Sequence, residues 1–473
     1  MGFTESEKPK IDTTNIQGDI WPGLPKRYEE LYFFTIKDEP KFRNHLAAFI
    51  PEITTAEQAV QDKGKIRQHK IEIAKGNKGP ELLSLSGVNI SFTSSGIGKL
   101  GKHDLKAGNF ENGMLADLRS GGPGGEGRDN PEDWEERFRN PSPKKPIDGV
   151  ILVTGESRAS VYTKLHRVIY HFVGILPWNS SIEGLFTVKG NVRDGENKGK
   201  EHFGFEDGVS QPQLDGLDDD VKEGEPALVP PGIIINGEPG YRTKQPDWAT
   251  DGSFFVFRKL QQYVPEFQKW IDDTAPEHKL NSDQLGARLM GRWKSGAPVC
   301  MTPWNDDPGL ARANNYDYKP LDKQDKCPFA AHARKCNPRA DLTHPERFVI
   351  MRRGISYGGE VTHKEWKDHK TSEDRGLLFM CYQSNIANGF RMQQARWCNM
   401  DTFPADKDEE TGDPGPGVDA ICGQPNPPDT FDVSLCDGDS KNCRINLKVC
   451  VVPRGGEYFF TPSIKALQSF TKK

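Results

Sequence analysis

Three stretches of this 473-residue chain set a carboxylate, an imidazole and guanidinium groups where their surroundings call for an explanation. In EHFGFEDGVSQP, residues 201–212, Asp207 stands directly before Gly208, with Gly204 behind it and Pro212 ahead. Glycine admits backbone angles closed to other residues and proline stops a ladder or helix, so the spacing predicts a tight, non-periodic loop. Loops of this kind often carry functional groups, here a carboxylate. The alternative is that Asp207 only hydrogen-bonds its own turn. In CPFAAHARKCNPRAD, residues 327–341, His332 follows the small Ala330 and Ala331 and precedes Arg334 and Arg339. Small neighbours leave room for a flat, bulky group beside the imidazole, and the arginines suit the carboxylates of a ligand. Cys327, His332 and Cys336 offer a structural zinc site instead, but the spacing lacks a close cysteine pair and a fourth ligand nearby.

The third stretch, RFVIMRRGISYGGE, holds Arg352 and Arg353. On a strand the two point to opposite faces, so one can meet a pocket while the other meets solvent. In GLLFMCYQ the two-residue period puts Leu377 and Phe379 on one face. They either wall an apolar cavity or join an ordinary core.

Positioning these groups requires strands and loops, and the chain has both. Short β-rich runs recur as YFFTIK, GVNISFT, DGVILVTG, GSFFVFRKL, RFVIMRRGISYG, GLLFMCYQ and GEYFFTPS, with helical patterns in SRASVYTKLHRVIYHF and SIKALQSFTK. Their irregular alternation predicts an α+β architecture with mainly antiparallel sheets rather than a doubly wound parallel one. No fixed-period repeat is visible. Residues 104–147 and 215–245 read as solvated connections, residues 401–417 as a surface insert, and a domain boundary falls near residue 200. The 48 glycines and 35 prolines agree with many loops.

A formal charge of −5 argues against a nucleic-acid partner, which needs a basic stripe. No apolar run is long enough to cross a bilayer, so no membrane partner is expected. The MGFTESEKPKIDTTN start lacks an apolar signal core and fits a cytosolic chain or a processed form given a start Met. Nine cysteines leave at least one thiol free, and Cys436 with Cys443 could close a short loop. Sequons at Asn89 and Asn179 suit a secreted protein, and the balance leans extracellular, with a cytoplasmic setting as the alternative. No Gly-x-Ser-x-Gly elbow of an esterase is present.

Taken together, NIQGDIWPGLPK, LGARLMGRWKSGAPV, CPFAAHARKCNPR, RRGISYG, GLLFMCYQSNIANGF and GVDAICGQ, with an intact Gly204-Phe205-Glu206-Asp207-Gly208, closely resemble the dye-decolorizing peroxidases of the fungal branch. The resemblance runs nearly the whole length and implies two ferredoxin-like α+β domains, here 1–200 and 201–473. It further implies one haem b per chain, held mainly by the C-terminal domain, and a monomer or weak dimer. In its terms His332 is the proximal iron ligand, Asp419 the residue placed beside it, and Arg339 the contact to a haem propionate. Asp207 becomes the proton shuttle for hydrogen peroxide and Arg352 the cation that stabilises the leaving oxygen. The product is an oxoferryl porphyrin radical, reduced in two one-electron steps by dyes and phenols. With Leu377 and Phe379 walling the pocket, bulky donors would have to use surface aromatics, for which Tyr357 and Trp397 match positions in relatives; the alternative for both is the ordinary role of buried packing aromatics. A haem-handling protein without peroxidase turnover would need only His332, and a chlorite-type dismutase lacks the glycine-flanked aspartate loop.

Overall fold

The computed structural model describes residues 11–77, 79–119, 128–142, 144–174, 177–218, 227–241, 243–407, 415–425, 430–435 and 444–472. Its frame is a nine-stranded antiparallel sheet. The strands are β1 (Tyr28–Ile36), β2 (Ser86–Phe92), β3 (Gly149–Gly155), β4 (Ile182–Asn191), β5 (Ser253–Gln262), β6 (Met351–Arg352), β7 (Ile355–Tyr357), β8 (Gly376–Gln383) and β11 (Val451–Thr461). A separate two-stranded ribbon pairs β9 (Thr430–Ser434) with β10 (Arg444–Lys448).

The order across the sheet is β4-β1-β3-β2-β11-β5-β8-β6, with β7 also on β8. With β6 and β7 taken as one interrupted strand and the β9–β10 ribbon set aside, each half has four strands and runs fourth, first, third, second, which is the ferredoxin-like order. The halves meet at one pair, Phe92 of β2 opposite Phe460 of β11. At the far edges β4 comes up against β7, where Gly190 has no Cβ to strike the Ile355 side chain. The sheet thus curls towards a barrel, and each half offers its fourth strand to the other's second.

Helices cover the outside for readable reasons. In Arg158–Val173 the Ser157 side chain caps the Ser160 amide, and Val161, Leu165, Val168 and Phe172 bury one stripe at helical spacing. That stripe packs on β3, every residue of which is buried. Phe34, Phe42, Phe92 and Phe172 then stack and edge together in the first half of the core. No helix among the described residues is long and apolar enough to cross a membrane.

Several expectations change. The described parts of 104–147 are not a solvated loop. They form short helices that bury Phe110, Met114, Leu118, Trp134 and Phe138 against the sheet. Within 215–245, Leu217, Val229, Ile234 and Ile235 are likewise buried. The polar composition misled because charges there are paired inside; Asp129, 1% exposed, binds Arg258 at 2.8 Å. The sequon at Asn89 is unusable, because that side chain is buried and donates to the carbonyls of Thr54 and Val88; Asn179 is exposed. Cys436, Cys443 and most of the 401–417 insert's acidic run lie outside the described residues.

Candidate active site

The aspartate loop is folded by its own first residue. Glu201 accepts hydrogen bonds from the amides of Phe203 (2.8 Å) and Phe205 (2.9 Å) and from Gln262 (2.5 Å). Gly204 and Gly208 have φ of 97° and 79°, which side chains disfavour. Phe203 stacks on Phe267 with ring centroids 4.0 Å apart, and Phe205 is buried, so the loop is nailed down by aromatics. His202 adds a bond from its ring to the Tyr357 carbonyl on β7 at 2.9 Å. Burial pushes the Glu201 carboxyl up, and the nearby charge of Asp207 adds to that.

Asp207 makes the bond within its own turn and one long-range contact besides. Its Oδ1 accepts from the Gly208 amide at 2.6 Å, which is the turn bond, and from the Arg352 guanidinium at 2.9 Å. No described residue hydrogen-bonds its Oδ2. Arg352 also donates to the Ser210 carbonyl at 2.9 Å. The Gln211 side chain clamps the Arg352 backbone from both sides, accepting from its amide and donating to its carbonyl. Sequence reasoning had no signal for that clamp beyond its place in the quoted loop.

The two arginines separate as strand alternation requires. Arg352 lies opposite Cys381 of β8, and directly opposed residues share a face, so Arg352 sits on the side of Phe379 and Leu377. Those two are half-buried while Leu378 and Met380 between and beyond them are fully buried, as expected of one face lining a space. Arg353 turns the other way and donates to the carbonyls of Asp19 (2.7 Å) and Ile20 (3.0 Å), binding the N-terminal segment.

His332 opens a one-turn helix, His332–Cys336, behind the fully buried Ala330 and Ala331. Its Nδ1 donates to Asp419 Oδ2 at 2.9 Å, so the carboxylate does not engage Nε2. Asp419 is completely buried and accepts from the amides of Ile421 and Cys422, each at 2.8 Å. Burial by itself would raise the Asp419 carboxyl; the His332 ring and those amides overcome it and hold it below the usual range. Burial would depress the imidazole, yet the Asp419 charge holds it well above its usual value. A buried acceptor on one ring nitrogen is what a metal-binding histidine needs on the other. The Cys336 thiol rests 3.6 Å from His332 Nδ1. Hydrogen bonding with Cys398 and Cys422 is the main cause that lowers its pKa, and the Arg352 charge acts in the same direction.

Other expectations fall out differently. Arg334 is not available to a ligand: it is spent on Asp341 at 2.6 and 2.9 Å and on the Cys327 carbonyl. Arg339 donates to Asn314 and to the Tyr316 carbonyl, both at 3.0 Å, and its Nε is without a hydrogen-bond partner. Cys327 takes no part in the His332 cluster, whose members are Cys336, Asp419 and Cys422, so the zinc set is not assembled. Tyr357 and Trp397 are not surface aromatics: they are 5% and 4% exposed. Tyr357 donates to Asp374, and Trp397 lies flat on Phe403, so neither ring offers a face to a dye in solution.

Residues 15–194 match the family model for the DyP dimeric alpha+beta barrel domain, and residues 308–409 that for the Dyp-type peroxidase C-terminal region. The chain is 37% identical to the dye-decolorizing peroxidase msp1 of Mycetinis scorodonius, over 98% of this chain and 88% of that one. It is 34% identical to the dye-decolorizing peroxidase AauDyP1 of Auricularia auricula-judae, over 97% and 86%. A deferrochelatase of Yersinia pestis shares 28% identity over only 53% of this chain and 48% of its own length. Among solved structures, an ancestral D-type dye decolorizing peroxidase superposes with a TM-score of 0.88 at 43% identity, covering 98% of this chain and all of that one. A dye-decolorizing peroxidase in complex with 2,6-dimethoxyphenol gives 0.83 at 36% identity and the same coverage. With both family models in order and matches spanning almost the full length, the chain belongs to the dye-decolorizing peroxidases.

Proposed function

We propose that the protein is a haem-dependent peroxidase that reduces hydrogen peroxide with electrons from dyes, phenols and other aromatic compounds. The observation that carries this is that one chain holds both a histidine fixed by a buried aspartate and a loop aspartate fixed by an arginine. A haem-handling protein needs the first pair alone; the second favours catalysis.

The residues fit one haem b per chain. His332 commits Nδ1 to Asp419 and keeps Nε2, and its side chain is 30% exposed although the alanines before it are buried. Asp207 and Arg352 are exposed to a similar degree, 32% and 29%, and Leu377 with Phe379 supply an apolar wall. Arg339 has a guanidinium nitrogen to spare for a propionate. When bound, haem supplies the iron at which the peroxide O–O bond is cleaved. Asp207 Oδ2 takes the proton from the inner peroxide oxygen and returns it to the outer one. Arg352, which donates to Asp207 at 2.9 Å, orients it and stabilises the charge developing on the leaving oxygen. Leu377 and Phe379 limit the space to small molecules. The binding and acid–base residues all follow residue 200, which suits a division into an N-terminal domain 1–200 and a haem-holding domain 201–473. The exposed sequon at Asn179 supports an extracellular setting.

The test is a visible spectrum of the purified protein before and after peroxide, followed by oxidation of 2,6-dimethoxyphenol. A haem band that changes with peroxide and returns with the phenol is expected. A protein that stays colourless after haem reconstitution overturns the reading.

A further inference from the structure

Two thiols lie against His332 and a third touches one of them, and the peroxide chemistry above uses none of the three. Cys336, one turn along the helix from His332, puts Sγ 3.6 Å from the imidazole Nδ1 and 3.9 Å from Nε2. Cys422 Sγ is 3.7 Å from the same Nδ1. Cys398 ends the π-helical segment Met392–Cys398, and its Sγ is 3.5 Å from that of Cys336. All three are free. A single buried cysteine is usually a small packing residue. Sulfurs touching one another and the imidazole are instead the most easily oxidised groups in contact with the site.

Such a group can hold a thiophilic ion or form a disulfide, and the surroundings favour the second. An ion would gather thiolate charge beside the fully buried Asp419, with Cys398 only 1% exposed. The neighbouring cation, Lys335, already donates to the carbonyls of Trp397 and Met400. A disulfide leaves the pocket neutral. It requires the sulfurs to close from 3.5 Å to ~2.0 Å.

We propose that Cys336 and Cys398 are an internal two-electron donor, oxidised to a disulfide by one equivalent of hydrogen peroxide when no aromatic substrate is present. Two S–H bonds and the peroxide O–O bond break, one S–S bond forms, and two electrons and two protons pass to oxygen, giving two waters. The pair thereby consumes oxidising equivalents that would otherwise damage the site. This rests on the peroxidase reading.

The test treats holoenzyme with one equivalent of peroxide without reducing substrate, then alkylates free thiols under denaturing conditions and maps the peptides by mass spectrometry. The loss of two alkylatable thiols, a Cys336–Cys398 cross-linked peptide and recovery with dithiothreitol are expected. Cys398→Ala should form no link and keep steady-state dye turnover. Asp207→Asn should form the link roughly a hundredfold more slowly, because activated peroxide, not direct attack, makes it. The proposal is overturned if every thiol stays alkylatable, if Cys336 links to Cys422, if Asp207→Asn cross-links at the wild-type rate, or if the resting enzyme carries a stoichiometric thiophilic metal. An enzyme that oxidises 2,6-dimethoxyphenol yet keeps its thiols defeats this proposal alone; one without turnover or spectral change defeats the peroxidase reading.

Discussion

Asp207 and Arg352 share one charge-assisted contact at 2.9 Å, yet their removal should read out differently. Asp207→Asn keeps size and the turn bond but cannot accept a proton, so peroxide activation followed by stopped-flow absorbance should slow by roughly a hundredfold or more. A near-wild-type rate would remove the shuttle. Arg352→Leu takes away the cation proposed to stabilise the leaving oxygen, and a loss of ~10²–10³ in the same step is expected. Arg352→Lys should recover part of it, since charge returns without the guanidinium's paired donors. On the other side, Asp419→Asn should weaken haem binding about 10–100-fold in a titration of apoprotein, because the ring loses the acceptor that orients it; unchanged affinity would show His332 held by other means. The sequence displayed Asp207 and His332 openly, since odd local composition marks a shaped loop. It could not apportion Arg352 and Arg353, which differ only in which face of a short strand each occupies.

The element that makes the site is the loop 201–212, and its hold on β7 runs through His202. That ring is buried, donates to the Tyr357 carbonyl, and has its Nδ1 unpartnered. Burial, with help from the Arg193 charge, lowers its pKa to about 4. The unfolded chain therefore binds a proton near pH 6.5 that the folded chain refuses until about pH 4. Stability from this histidine is complete above pH 6.5 and is lost as pH falls through that window, by on the order of 3 kcal/mol. Melting temperatures of wild type and His202→Gln should converge as pH drops from 7 to 4; a constant gap would remove His202 as the cause. The sequence announced a tight loop here through its glycines. Glu201 acts mainly on the amides of its own loop, whereas the parts played by His202 and Gln211 depended on partners far along the chain, out of reach of any local pattern.

At the scale of the molecule, the segment 128–139 closes one side of the sheet through a fully buried ion pair, Asp129 with Arg258 of β5, each 1% exposed. Asp129→Ala strands a buried guanidinium and should cost about 3–5 kcal/mol in denaturant unfolding. A loss near zero would mean that the segment is not anchored there. Of the nine sheet strands, β4 escaped the sequence reading: LFTVKG in Ile182–Asn191 is only partly buried and lacks the dense apolar run of its neighbours. The matching strand order of the two halves was equally invisible. Order is a property of pairing, and the halves share no repeated text.

By itself the sequence determined the α+β class, most strands and the family, and it singled out the aspartate and histidine proposed for the site, because each rests on local spacing or on motifs kept in order. Tertiary structure alone decided which arginine meets Asp207, that Tyr357 and Trp397 are inside, that Arg334 is already spent, and that two thiols lie against His332 with a third touching one of them. Those facts depend on which distant segments touch, and burial and partnership belong to the packed chain rather than to any stretch of it.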